Sequence, residues 1–169
     1  GSEVLCELSA KERLSMKRHL RALLGRPQPK QRTQEWYEFR HTLITASNAY
    51  KALMAGAEFN QIVFEKCQPL HIVDKDTGNV SKCVNVETTL HWGQKYEDVS
   101  VMIYEDMYNT CIEDFGCIRH DKYSFLGASP DGINMDEKNP RFGRMLEIKN
   151  VVNRDITGIP KLEYWVQMQ

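Results

Sequence analysis

The chain has 169 residues, 41% of them hydrophobic and 27% charged, with a formal net charge of -1, which suits one domain with a sizeable core and argues against a disordered or uniformly basic protein. No apolar run approaches the length of a membrane span, and the N-terminus lacks a basic-then-apolar secretory pattern, so no membrane partner is expected. The five cysteines, Cys6, Cys67, Cys83, Cys111 and Cys117, form no C-x-x-C pair and no zinc-like spacing, which points to free thiols in an intracellular, reducing compartment and leaves nucleus or cytoplasm open.

Ser9-Ala10-Lys11-Glu12 has the capping-box pattern, and Met16, Leu20, Leu23 and Leu24 follow at helical spacing until Gly25 and Pro27. This predicts a first helix. Lys11, Arg13, Lys17, Arg18, Arg21, Arg26, Lys30 and Arg32 crowd the segment against a single acid, Glu12; a phosphate-holding arm and a solvated helix face both account for them. Arg26 to Arg32 is a Pro-rich, basic connector, so residues 1–32 are expected to stand ahead of a main domain over 33–169. Thr33 is placed to cap a second helix through Trp36, Phe39 and Arg40. Thr45-Ala46-Ser47 opens a third, through Tyr50, Leu53 and Met54, which closes near Gly56. Ser47 then lies in a first turn, where backbone N–H groups and the helix dipole suit a phosphate, although serine there is also a common capping choice.

Asn60 to Cys67 reads as a short helix and Gln68 to Val86 as a polar loop. Trp92, Tyr96, Val99, Ile103 and Met107 step by four and three, predicting a long amphipathic helix whose stripe faces the core, with Glu97 at its edge. From Cys111 the period changes. Cys111 to His120, Ser124 to Ala128, Gly132 to Met135 and Met145 to Asn150 read as strands, with Cys111 and Cys117 as buried small hydrophobes. Pro160 to Gln169 reads as a helix with Leu162, Trp165 and Val166 on one side. The order of helices, strand cluster and helix predicts an α/β (α+β) fold. The chain stops inside that last helix, so the domain is expected to be cut short there.

One stretch carries chemistry. Ser129-Pro130-Asp131-Gly132 has turn composition, with proline presetting its own φ and Gly132 tolerating a positive one. In Met145 to Asn150 the period is two, so Glu147 and Lys149 share one face while Leu146 and Ile148 share the other. On a solvated sheet edge such a charged pair is ordinary. The alternative is a metal centre: hard cations take oxygen ligands, and Asp131, Glu147 and Glu97 supply carboxylates, with the Ile148 carbonyl as a further donor. Lys149 would then orient the attacking water or offset charge developing on phosphate oxygens.

Asp-Gly followed by Glu-Ile-Lys resembles the PD-(D/E)XK nuclease superfamily. "EWYEFRHTLITAS" (Glu35 to Ser47), "WGQKYE" (Trp92 to Glu97), "GASPDG" (Gly127 to Gly132), "LEIKN" (Leu146 to Asn150) and "YWVQMQ" (Tyr164 to Gln169) occur in the order found in the lambda exonuclease group, the YqaJ-like viral recombinases. The resemblance covers roughly Arg32 to Gln169 and leaves the basic helix outside. It implies a restriction-endonuclease-like core, a central mixed sheet flanked by helices. It implies Mg2+, with Mn2+ substituting, held by Glu97, Asp131, Glu147 and the carbonyl of Ile148. Asp131, Glu147, Lys149 and Gln167 become the catalytic set, Gln167 lying with Tyr164 on the helix that backs the active site. Arg40, Ser47 and Ser129 become the residues that hold a 5′-phosphate.

The activity so implied is digestion of one strand of double-stranded DNA from free 5′-phosphorylated ends, in viral-type recombination or end processing. A single-strand annealing protein is the implied partner and a homotrimeric ring the implied assembly. Two alternatives stay open: an endonuclease acting on DNA or RNA, as related herpesvirus alkaline nucleases do, and an inactive nucleic-acid-binding module. The chain departs from the family where Asn150-Val151 replaces the usual Cys-Pro. It also departs in lacking a clear counterpart of a phosphate-binding histidine between Val151 and Lys161.

Overall fold

The computed structural model describes residues 7–69, 95–151 and 155–169. Trp92, Cys6, Cys83 and nearly all of the expected polar loop from Gln68 to Val86 lie outside them. In chain order the described elements are α1 (Ala10–Leu24), α2 (Gln34–His41), β1 (Ile44–Thr45), α3 (Ala46–Leu53), α4 (Ala57–Cys67), α5 (Glu97–Tyr108), β2 (Ile112–Glu113), β3 (Ile118–Arg119), β4 (Leu126–Ala128), β5 (Gly132–Asn134), β6 (Met145–Leu146) and α6 (Leu162–Met168). They gather into two compact units, the first from residues 7–27, 95–115 and 130–151 and the second from 28–69, 116–129 and 155–169.

In the first unit α1 begins as its sequence predicts. The Ser9 hydroxyl accepts from the Glu12 N–H at 3.3 Å, and a Glu12 carboxylate oxygen accepts from the Ser9 N–H at 2.9 Å. Two otherwise orphaned amides are thereby satisfied. Leu20 is buried on the inner side. The basic face is partly engaged: Arg13 donates to the carbonyls of Glu137 and Asn139 at 2.6 and 3.2 Å, and Lys17 pairs with the Glu137 carboxylate at 2.6 Å. The sheet is an antiparallel β2-β5-β6 ladder with Ile112 opposite Asn134 and Gly132 opposite Leu146. Buried Asn139 links it to α5, donating to the carbonyls of Tyr108 and Asn109 at 3.0 and 3.1 Å where that helix ends on left-handed Asn109. Its side chain stands in for the next turn of helix.

The stripe expected to be core on α5 is on the outside instead. Val99, Ile103 and Met107 are 48, 54 and 68% exposed, while Tyr96 just before the helix is half-buried and Ser100, Val101, Tyr104, Glu105 and Tyr108 are the more enclosed side chains on it. Polar anchors set this rotation. Ser100 donates to the Asn150 side chain at 2.7 Å, and a Glu105 carboxylate oxygen accepts the Ile112 N–H at 2.7 Å. With apolar residues on both sides, those hydrogen bonds decide which side faces inward.

The second unit holds a mixed β1-β4-β3 ladder, parallel between β1 and β4 and antiparallel between β3 and β4. Leu43, Cys117 and Ile62 are its buried apolar side chains among the described residues. Helix α3 packs against α4 and α6. Helix α4 starts three residues earlier than its composition suggested, from Gly56 at φ 81°, a conformation that glycine adopts without a side-chain penalty.

The α/β class holds, with shorter strands than the alternation indicated. The run Cys111 to His120 contributes β2 to one sheet and β3 to the other. Between them the Gly116 N–H turns to the Gln28 side chain at 2.8 Å and the Cys117 N–H to the Pro29 carbonyl at 3.4 Å. Once those amides are taken they cannot serve a continuous ladder. Cys117 is buried as expected, whereas Cys111 is exposed, because it precedes β2 and leaves only its carbonyl in the sheet, accepting from the Met135 N–H at 3.0 Å. No helix among the described residues is long and apolar enough to cross a membrane.

Candidate functional site

Asp131 directly precedes β5, and two hydrogen bonds hold it against the chain leaving β6. Its N–H donates to the Leu146 carbonyl at 3.1 Å, and its Oδ2 accepts from the Ile148 N–H at 2.5 Å. Glu147 lies between those two contacts. β6 itself ends at Leu146, so Glu147, Ile148 and Lys149 lie beyond the ladder and not in the strand interior their alternation predicted. The expected sharing of a face is nonetheless present, since the Lys149 ammonium donates to Glu147 Oε1.

Gly132 has a different reason from the one its turn-like setting suggested. It is absent from the positive-φ glycines. A Cβ there would come within 2.2 Å of Ile112 Cγ2, so the residue is small because β2 passes against it. The close approach of β2 and β5 fixes the backbone that carries Asp131.

Glu97 opens α5, and the Ser100 to Asn150 hydrogen bond one turn later ties that end of the helix to the residue just after Lys149. The electrostatics report the proximity. Burial raises the pKa of Asp131 from 3.8 to about 6; the charges of Glu147 and Glu97 push the same way, against the Ile148 hydrogen bond and the charge of Lys149. An acidic pocket of this kind disfavours its own ionisation and favours a cation.

The donors are oxygen, as Mg2+ or Mn2+ requires. Among the described residues no three His, Cys, Asp or Glu side chains are closed into a ligand set: Glu147 is engaged by Lys149 and Asp131 by Ile148. The contact Ile148 makes with Asp131 is through its N–H; the carbonyl expected as a ligand is a separate group.

The second unit brings Arg40, Ser47 and Ser129 together. Arg40, in the last turn of α2, donates to Ser129 Oγ at 3.0 Å and to Ser47 Oγ at 3.2 Å. Ser47 lies in the first turn of α3, as predicted. Three members of the cluster were not singled out from sequence. Trp36 lies beneath the guanidinium at 4.3 Å and donates its indole N–H to Ser129 Oγ at 3.1 Å. Thr45, buried, shares a hydrogen bond with Ser47 Oγ at 3.0 Å in place of the N-cap bond its position offers. Lys66, in the last turn of α4, donates to the Arg40 carbonyl at 2.9 Å. Trp36 had a signal, at i and i+4 from Arg40 on a helix; Lys66 had none, because its contact joins two helices.

Ser129 Oγ accepts from both Arg40 and Trp36. A hydroxyl has two acceptor sites and one proton, so its O–H points to a third group. Gln167 and Tyr164 lie on α6, half-buried, in the same unit.

The sequence profile of the YqaJ-like viral recombinase domain matches residues 35–169. An uncharacterized protein of Acanthamoeba polyphaga mimivirus is 28% identical over 159 residues, covering 85% of this chain and 27% of its own. The crystal structure of an alkaline exonuclease, LHK-Exo, from Laribacter hongkongensis superposes with a TM-score of 0.59 at 26% identity, over 80% of this chain and 64% of that one. The structure of LHK-Exo in complex with dAMP gives 0.57 at 24% identity, over 80% and 65%. The chain thus spans about a quarter of the viral relative and under two thirds of the exonuclease. With a profile match reaching from α2 to the end of α6, and the same fold in a solved structure, the chain belongs to the YqaJ-like viral recombinase domain family.

Proposed function

We propose that this chain is the nuclease domain of a divalent-metal-dependent deoxyribonuclease that digests one strand of duplex DNA from a 5′-phosphorylated end. Family membership and the likeness to an alkaline exonuclease support the nuclease. The observation that carries the end-directed reading is the Arg40 guanidinium donating at once to Ser47 and Ser129 while Trp36 occupies the second acceptor site of Ser129. A guanidinium and two hydroxyls gathered beside the first turn of a helix suit an anion, and a terminal phosphate carries more charge than an internal diester.

Asp131 and Glu147 would hold the cation, with Glu97 and the Ile148 carbonyl as further donors. When bound, Mg2+ supplies Lewis-acid polarisation of the phosphate and activation of water. Lys149 exchanges its pairing with Glu147 for the phosphate oxygens as negative charge builds there, and so stabilises the transition state. Gln167, with Tyr164 on the same helix, is the further member of the proposed catalytic set. The natural substrate is double-stranded DNA with free 5′ ends. A single-strand annealing protein and a homotrimeric ring are the partner and assembly proposed for the full-length protein.

The test uses three substrates, a linear duplex labelled at one 5′-phosphate, a closed circular duplex and a single-stranded RNA, each with Mg2+, with Mn2+ and with chelator. Nucleotide release from the linear duplex alone, abolished by chelation and restored by metal, is expected. Cleavage of the circle or of RNA at a comparable rate would replace this reading with that of an endonuclease.

A further inference from the structure

The carbonyl of Arg40 accepts from the Leu43 N–H at 3.1 Å and from the Lys66 ammonium at 2.9 Å. One residue earlier on α4, the Glu65 carbonyl lies 3.2 Å from the His41 ring Nε2. The C-terminal ends of α2 and α4 therefore cap each other reciprocally, each lending a side chain to a carbonyl in the last turn of the other. The residue held this way is the one whose guanidinium fans out to Ser47 and Ser129. Lys66 is half-buried, and burial first and the neighbouring Arg40 charge second lower its pKa, against smaller opposing effects of Glu65 and Cys117. Two cations kept together against their repulsion are what a doubly charged anion would compensate.

We infer that Lys66 is a positioning residue for Arg40, and that its ammonium gives the Arg40, Ser47 and Ser129 cluster the second positive charge by which a dianionic terminal phosphate is told from an uncharged terminus. This rests on the reading of that cluster as the 5′-phosphate site. The backbone contact sets where the guanidinium starts from, and the charge deepens the potential at the anion. Removing Lys66 therefore weakens phosphate selection without touching the acids around Asp131.

The experiment measures binding by fluorescence anisotropy in the presence of chelator, so that turnover plays no part. Two duplexes identical but for a 5′-phosphate or a 5′-hydroxyl are titrated against wild type, Arg40→Ala, Lys66→Met and Lys66→Arg. Lys66→Met is expected to lower the phosphate-to-hydroxyl affinity ratio by about fivefold to tenfold, the loss of one charge-assisted interaction, and Lys66→Arg to recover most of it. A purely structural lysine would weaken both duplexes equally and lower the melting temperature with the ratio unmoved. That outcome, with Arg40→Ala still collapsing the ratio, overturns the role of Lys66 and leaves the phosphate site standing. A wild-type ratio near one, or one that survives Arg40→Ala, overturns both.

Discussion

Asp131 is where residue-scale physics is most exposed to experiment. Its folded pKa, about 6, lies above the ordinary 3.8 because burial disfavours the carboxylate. Between those values the folded chain holds a proton that the unfolded chain releases, so the associated stability is complete below pH 3.8 and is lost as pH rises through about 6. Asp131→Asn keeps an acceptor for the Ile148 N–H and removes the charge. It should stabilise the metal-free protein at pH 8 by on the order of 1–2 kcal/mol, discounted for partial exposure to solvent, and by almost nothing at pH 4. Thermal unfolding at the two pH values checks this, and an equal gain at both would mean that charge is not the cause. The same substitution should abolish cleavage. Lys149, proposed to act on the phosphate and not on the metal, gives the complementary result: Lys149→Met should cut turnover by roughly a hundredfold or more while calorimetric Mg2+ affinity persists. Lost metal binding with unchanged turnover would refute its role.

At the scale of elements, the acidic centre depends on how closely β2 and β5 approach. A methyl group at Gly132 would lie 2.2 Å from Ile112 Cγ2, and a packed ladder relieves such a clash only by shifting. Gly132→Ala should cost about 1–3 kcal/mol in denaturant unfolding, and much less than that when it is introduced into an Ile112→Ala background. Had the glycine served a positive φ, the cost would be equal in the two backgrounds. Helix α5 makes the same point about polar anchors. Its outward turn of Val99, Ile103 and Met107 follows from Ser100 and Glu105 finding partners on Asn150 and Ile112. Asn150, which accepts from Ser100, thus has a structural task in this chain.

At the scale of the whole molecule, the basic first helix is built into a folded unit. Leu20 is 2% exposed, and Arg13 and Lys17 are engaged by the segment between β5 and β6. Leu20→Ala should therefore cost about 2–4 kcal/mol, the range for a buried leucine, measured by denaturant unfolding of the full chain. A loss within about 0.5 kcal/mol, typical of a surface site, would show that α1 is an appended arm that adds nothing to the fold. On the same helix Lys11, Arg18 and Arg21 are exposed, and the net charge of -1 conceals the asymmetry they create.

The sequence by itself determined what is local. The Ser9 and Thr33 caps, the first-turn position of Ser47 and the shared face of Glu147 and Lys149 each follow from neighbours a few residues apart, where helix or strand geometry leaves few choices. The ordered motifs likewise made the family legible. Tertiary structure decided whatever depended on partners distant in the chain. It turned the apolar stripe of α5 outward, divided one apparent strand between two sheets, exposed Cys111 and explained Gly132 by a neighbour's methyl group in place of a turn. It also brought Lys66 to Arg40, by a contact across two helices that no spacing encodes. The physical reason is common to all of these. A periodicity records which faces of an element are apolar, whereas the orientation adopted is settled by hydrogen bonds and close contacts that exist only once the chain has folded.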